Sequence, residues 1–174
     1  LKILSSKKNN LWICHDRHKL NNMINYSIDV LKDHKVNKGD RVVYKGKNSI
    51  EWVAWNIATN SIGAVWVPLY SNQTEDYCQH IVKDCTPKIL VSDDEPNYKN
   101  LNFISNNIED IDYNDEFNVV ENELSTLIYK SGTTGNPKGV MLSHKNILSN
   151  IDSIKKRFVE FNDIQGMKSL NILP

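Results

Sequence analysis

Between residues 19 and 91, helix-length stretches alternate with short apolar runs, and this alternation limits the fold more than any other feature. From residue 19 to residue 35, Leu20, Ile24, Ile28 and Leu31 recur near a helical period. Lys38-Gly39-Asp40 is expected to stop that helix, with Gly39 suited to a left-handed C-terminal cap. Residues 41–44 then read as a short strand. Ser49 is placed as an N-cap, with Glu51 in the first turn and helix through Ile62. Gly63 ends it, and residues 64–67 form a buried-type strand closed by Pro68. A third helix opens at Thr74-Glu75-Asp76 and stops before Thr86-Pro87, followed by a strand over 88–91. Such alternation is the pattern of βαβ units. The expected class is therefore α/β, with helices packed on a largely parallel sheet.

Composition excludes several functions. Twenty-one Lys and Arg balance twenty-one Asp and Glu, so the chain lacks the overall basic charge of a nucleic-acid binder. Residues 62–70 are the longest nearly unbroken apolar run, and they contain Gly63 and Pro68. A membrane span needs about 20 apolar residues, so no spanning helix is expected. Three cysteines (Cys14, Cys78, Cys85) make no disulfide framework and fit a reducing compartment. The start at Leu1, with no signal-peptide pattern, leads us to expect part of a longer chain. A length of 174 residues suits one domain.

Residues 92–123 differ in character, holding ten acidic residues against one basic residue, Lys99. Their irregular spacing reads as a solvated connection, and no chemistry is expected there. They separate an alternating helix–strand part (1–91) from a C-terminal part (124–174). In the latter, residues 126–129 and 140–142 read as strands. Ser143 can cap a helix carrying Ile147, Ile151, Ile154 and Phe158 on one face. Residues 171–174 look like the start of a further strand, and a sheet ending there would leave an exposed apolar edge.

Between the two C-terminal strands lies Ser131-Gly132-Thr133-Thr134-Gly135-Asn136-Pro137-Lys138-Gly139. Three of the seven glycines fall within eight residues, beside three hydroxyls and a lysine. Glycines let backbone N–H groups converge on an anion with no Cβ in the way. Ser131, Thr133 and Thr134 can donate to phosphate oxygens, and Lys138 adds a mobile charge. A Walker A loop does not fit: Pro137 precedes the lysine, and Gly139 stands where the magnesium-binding hydroxyl belongs. Because Pro137 and the extended residues after it start no helix, the expected form is a strand–loop–strand hairpin that clasps phosphates from one side.

Residues 128–144, IYKSGTTGNPKGVMLSH, closely resemble the phosphate-loop signature of the adenylate-forming (AMP-binding) superfamily. Upstream, Gly39-Asp40-Arg41-Val42 is similar to its early "GD-V" element, and residues 52–68 resemble its "A-GA---P" element. The resemblance covers most of residues 11–174, and the form of the loop is most like that of long-chain fatty acyl-CoA synthetases. It implies a partial N-terminal domain whose adenine pocket, acidic magnesium residue and late catalytic lysine lie downstream. It implies ATP, Mg2+ and coenzyme A as cofactor and co-substrates, with a fatty or other carboxylic acid activated first to acyl-AMP and then to acyl-CoA. Ser131, Gly132, Thr133, Thr134, Gly135 and Lys138 map onto the loop holding the β- and γ-phosphates, and none is a nucleophile. The isolated chain is thus expected to need the remainder of its own polypeptide for complete catalysis. A cytoplasmic location, or a peripheral one on an intracellular membrane, follows from the same reading. The alternatives are activation of an aryl or amino acid, or a truncated chain that binds phosphate or a partner without catalysis.

Other constellations offer less. Cys78, His80 and Cys85 match no zinc spacing and read as packing and surface. Cys14, His15, Asp16 and His18 read as a loop. Trp12, Trp52, Trp55 and Trp66 read as core, with Trp52 and Trp55 facing the sheet, and His144 has a capping or surface role. The basic surplus outside 92–123 is scattered, which gives only weak support to an anionic membrane partner.

Overall fold

A computed structural model of the chain describes residues 2–8, 11–94, 101–109, 111–113, 123–130 and 136–159. An antiparallel ribbon of β1 (Lys2–Lys8) and β2 (Leu11–Asp16) precedes α1 (Arg17–Asp33). Then come β3 (Arg41–Gly46), α2 (Ile50–Ser61), β4 (Val65–Tyr70), α3 (Glu75–Cys85) and β5 (Ile89–Ser92). The described chain continues through β6 (Phe103–Ser105), β7 (Leu124–Lys130), β8 (Lys138–Ser143) and α4 (His144–Val159). Strands β6-β5-β3-β4-β7-β8 form one sheet, parallel throughout except for the β7–β8 hairpin.

The strand order places the helices. After β3 the chain steps to β4 on one side, then reverses over β3 to reach β5 on the other. Right-handed crossovers in opposite directions put their helices on opposite faces. Accordingly α1 and α2 share a core with Val42, Tyr44, Trp66, Ile89 and Val91. Helix α3 packs on the other face, with Val43, Val67, Leu69, Leu90 and Tyr129. The period of two along each strand divides these residues between the faces. Both faces are covered, which is why β3, β4 and β5 are apolar runs rather than alternating ones.

The helix ends follow local chemistry. Asp16 accepts from Lys19 N at 2.9 Å, and this backbone bond holds its carboxyl below the usual range. Ser49 caps α2 through Trp52 N at 3.1 Å. Helix α1 stops before Gly39, contrary to expectation: Lys35 takes the left-handed conformation (φ 57°), with Lys35 N to Lys32 O and Val36 N to Leu31 O closing the end. Burial of Val36 against the core fixes that end, a tertiary effect. Gly39 (φ 84°) instead shapes the turn into β3, where its N–H donates to Gly63 O at 2.8 Å.

Three further expectations are corrected. Strand β4 runs through Pro68 to Tyr70 instead of closing at the proline. Val65 N donates to Asp40 O, so alternate residues place Pro68 toward β7, where the described ladder holds only the Trp66–Thr126 bridge. A missing N–H costs little there. The acidic stretch is more than a connection. Its Phe103–Ser105 segment is the edge strand beside β5, and Tyr113 reaches α1, its N–H donating to Asn22 and its hydroxyl to Asp29. Three strand residues were too few to read. Residues 14–18 form the end of β2 and the start of α1, not a loop, with His15 buried and bonded to Ser6.

Trp55 and Trp66 are core and Trp52 packs edge-on to Trp66 at 5.5 Å, whereas Trp12 is 60% exposed on the ribbon. Helix α4 forms as expected, and Ile151 and Ile154 of its apolar stripe are exposed. The strand expected at 171–174 lies outside the described residues. Among the described residues no helix is long and apolar enough to cross a membrane.

Candidate functional site

Strand β7 runs parallel to β4, so its C-terminal end, Lys130, lies at the carboxyl edge of the sheet, where open α/β sheets bind ligands. The chain re-enters the sheet at Lys138, and β7 and β8 pair antiparallel from Leu124↔Ser143 to Lys130↔Lys138. The expected strand–loop–strand hairpin is present. Of the expected phosphate-binding residues, Lys138 is the first residue of β8 and is exposed. Ser131, Gly132, Thr133, Thr134 and Gly135 lie outside the described residues.

Two features of the hairpin were not read from the sequence. Lys138 stands directly opposite Lys130, and both are exposed. Like charges in that position repel, by about 0.2–1 kcal/mol, unless an anion lies between them. In sequence, the glycine-rich, hydroxyl-bearing residues 131–137 join these two lysines. Second, Gly139 lies opposite Tyr129, whose ring leaves little room for a side chain: a Cβ there would meet Tyr129 Cζ at 3.1 Å. Here the glycine permits close approach rather than an unusual φ.

Helix α3 lies beside the hairpin. Tyr77 donates its hydroxyl to Tyr129 O at 3.4 Å, and Tyr129 donates its own to the Asp84 carboxylate. His80 Nε2 is 3.3 Å from Pro137 O. Burial raises the Tyr129 phenol pKa, and the hydrogen bond to Asp84 raises it further, so the group stays a donor at neutral pH. Burial likewise pushes the Cys85 thiol up to about 11. Cys78 and Cys85 are core residues, as read from the sequence, and His80 serves the hairpin. Among the described residues no three His, Cys, Asp or Glu side chains gather to hold a metal ion. A magnesium ion that arrives on a triphosphate needs no such cage, because it is held chiefly by phosphate oxygens and water.

The fold and hairpin define an α/β protein with a candidate anion site at the carboxyl edge of its sheet. More narrowly, the chain belongs to the AMP-binding enzyme family, whose sequence profile matches residues 18–174. It is 28% identical over 152 residues to gramicidin S synthase 2 of Brevibacillus brevis, covering 81% of this chain and 3% of that protein. It is also 28% identical over 137 residues to the long-chain-fatty-acid–CoA ligase ACSBG2 of Rattus norvegicus, covering 59% of this chain and 20% of that one. The chain thus spans a fifth or less of the length of these two relatives.

Among solved structures it is similar to the N-terminal subdomain of Klebsiella oxytoca NpsA in complex with 3-hydroxybenzoyl-AMSN. The TM-score is 0.66 at 26% identity, over 76% of this chain and 35% of that one. The fold also matches fatty acid AMP ligase from Legionella pneumophila, with TM-score 0.77 at 24% identity over 89% of this chain and 30% of that one.

Proposed function

We propose that this chain supplies the triphosphate-binding part of an enzyme that activates a carboxylic acid with Mg·ATP. The acid's carboxylate attacks the α-phosphorus, giving an acyl adenylate and releasing pyrophosphate. The observation that carries this reading is the opposed pair Lys130 and Lys138 at the mouth of the glycine-rich segment. Lys138, with Ser131, Gly132, Thr133, Thr134 and Gly135, holds the β- and γ-phosphates and stabilises charge on the departing pyrophosphate. Magnesium, bound on the triphosphate, offsets phosphate charge. The acceptor in the second step is the thiol of coenzyme A, which displaces AMP, and the acid is a long-chain fatty acid. Support for this acid comes from the form of the loop and from the similarity to a fatty-acid–CoA ligase.

A second reading, activation of an amino or aryl acid, is favoured by one observation. The match to gramicidin S synthase 2 covers 81% of the chain, against 59% for the fatty-acid ligase. ATP–pyrophosphate exchange by the full-length protein, with palmitate, coumarate and the amino acids in turn, separates the two. Exchange with palmitate followed by acyl-CoA formation fits the first reading. Exchange with an amino or aryl acid alone replaces it with the second. No exchange with any acid refutes both.

A further inference from the structure

We propose that one face of α3, formed by Tyr77, His80 and Asp84, is a positioning device for the phosphate hairpin. These residues fall at i, i+3 and i+7, which places them on one stripe of the helix. Each reaches the hairpin next to a loop-flanking lysine. Tyr77 and Asp84 bind the backbone carbonyl and the hydroxyl of Tyr129, the neighbour of Lys130. His80 meets the carbonyl of Pro137, the neighbour of Lys138. A carbonyl only accepts, so Nε2 of His80 carries the hydrogen.

The helix is a firm support for this. Cys78, Ile81 and Cys85, on the adjoining face of the helix, anchor it in the core. Arg41 ties down its C-terminal end, Nε donating to Cys85 O at 2.7 Å and an Nη to Thr86 O at 2.6 Å. Strand β8, by contrast, ends the sheet order and is exposed from Lys138 to Met141. Its loop end therefore takes its position from β7 and from α3. Since a displacement of about 1 Å at a reacting centre can cost 10²-fold in rate, the register of Lys138 against the triphosphate depends on this face. The three residues act through Tyr129 and Pro137.

The inference rests on the function proposed above, and the test separates the two. In the full-length protein, His80→Ala is expected to lower kcat for ATP–pyrophosphate exchange about tenfold, with KM for the acid and the melting temperature unchanged. His80→Gln, which keeps an N–H donor at similar reach, restores the rate. Tyr77→Phe, which removes only a hydroxyl, gives a smaller loss of the same kind. Wild-type kcat in His80→Ala, or a His80→Gln variant as slow as His80→Ala, overturns the proposal. Amide hydrogen exchange over residues 124–143 is measured on the same variants. Faster exchange confined to the hairpin in His80→Ala, reversed in His80→Gln, supports the clamp, and unchanged exchange overturns it. If the wild-type protein exchanges pyrophosphate with no acid, the proposed function falls, and the hydrogen-exchange result alone decides the clamp.

Discussion

Replacing Lys138 by Ala should move stability and activity in opposite directions. Lys138 is exposed and stands directly opposite Lys130 across an antiparallel pair. Like charges directly opposite across strands are destabilising, on the order of the ~0.2–1 kcal/mol that a favourable cross-strand pair contributes. Removing one should therefore raise stability slightly, and added salt should shrink the gain by screening. Activity follows another term: loss of one electrostatic stabiliser of a leaving group costs about 10²–10³ in rate, or about 2.7–4 kcal/mol. The assays are urea denaturation of the full-length protein at low and high salt, and ATP–pyrophosphate exchange at saturating acid. A lysine held for structural reasons would lose stability and rate together. Marked destabilisation by Lys138→Ala would refute the electrostatic argument, and a wild-type exchange rate would refute the assignment to phosphate.

Other outcomes follow from the packing. Gly46→Ala places a Cβ 2.8 Å from Cε1 of Tyr44, a ring that is fully buried, tilted against Trp66 and bonded through its hydroxyl to Asn106. The ring cannot yield, so a loss of about 1–3 kcal/mol is expected by chemical denaturation, and a change under 0.5 kcal/mol would count against it. Arg41→Lys should destabilise by about 1–2 kcal/mol, because three donors on one nitrogen cannot replace the planar fork that bonds Gly39 O, Cys85 O, Thr86 O and Thr86 Oγ1. Among the three thiols of this segment, only Cys14 is exposed. At pH 8 mass mapping after alkylation should show label there and none on Cys78 or Cys85 until the protein is unfolded. Because burial raises Cys85 from 9.0 to about 11, its contribution to stability is full below pH 9 and is lost as pH rises toward 11. Thermal melts from pH 7 to 11 should fall over that window, and Cys85→Ala should flatten the fall.

Sequence alone set the α/β class, the cap at Ser49, the hairpin and Lys138, because each depends on neighbours within a few residues. Apolar period, capping oxygen and glycine density are all local signals. Tertiary structure decided what depends on distant partners. Val36 ends α1 by reaching the core, so a lysine rather than Gly39 takes the left-handed position. Phe103–Ser105 becomes a strand because β5 offers an open edge, not because three residues carry a pattern. His80, separated from Pro137 by 57 positions, could be read from the sequence only as packing or surface. Lys130 lay in plain view beside the glycine-rich segment, but its opposition to Lys138 exists only once the strands pair in this register. Thus the residues expected at phosphate could be named from the sequence, while the contacts from α3 to the hairpin exist only in the tertiary structure.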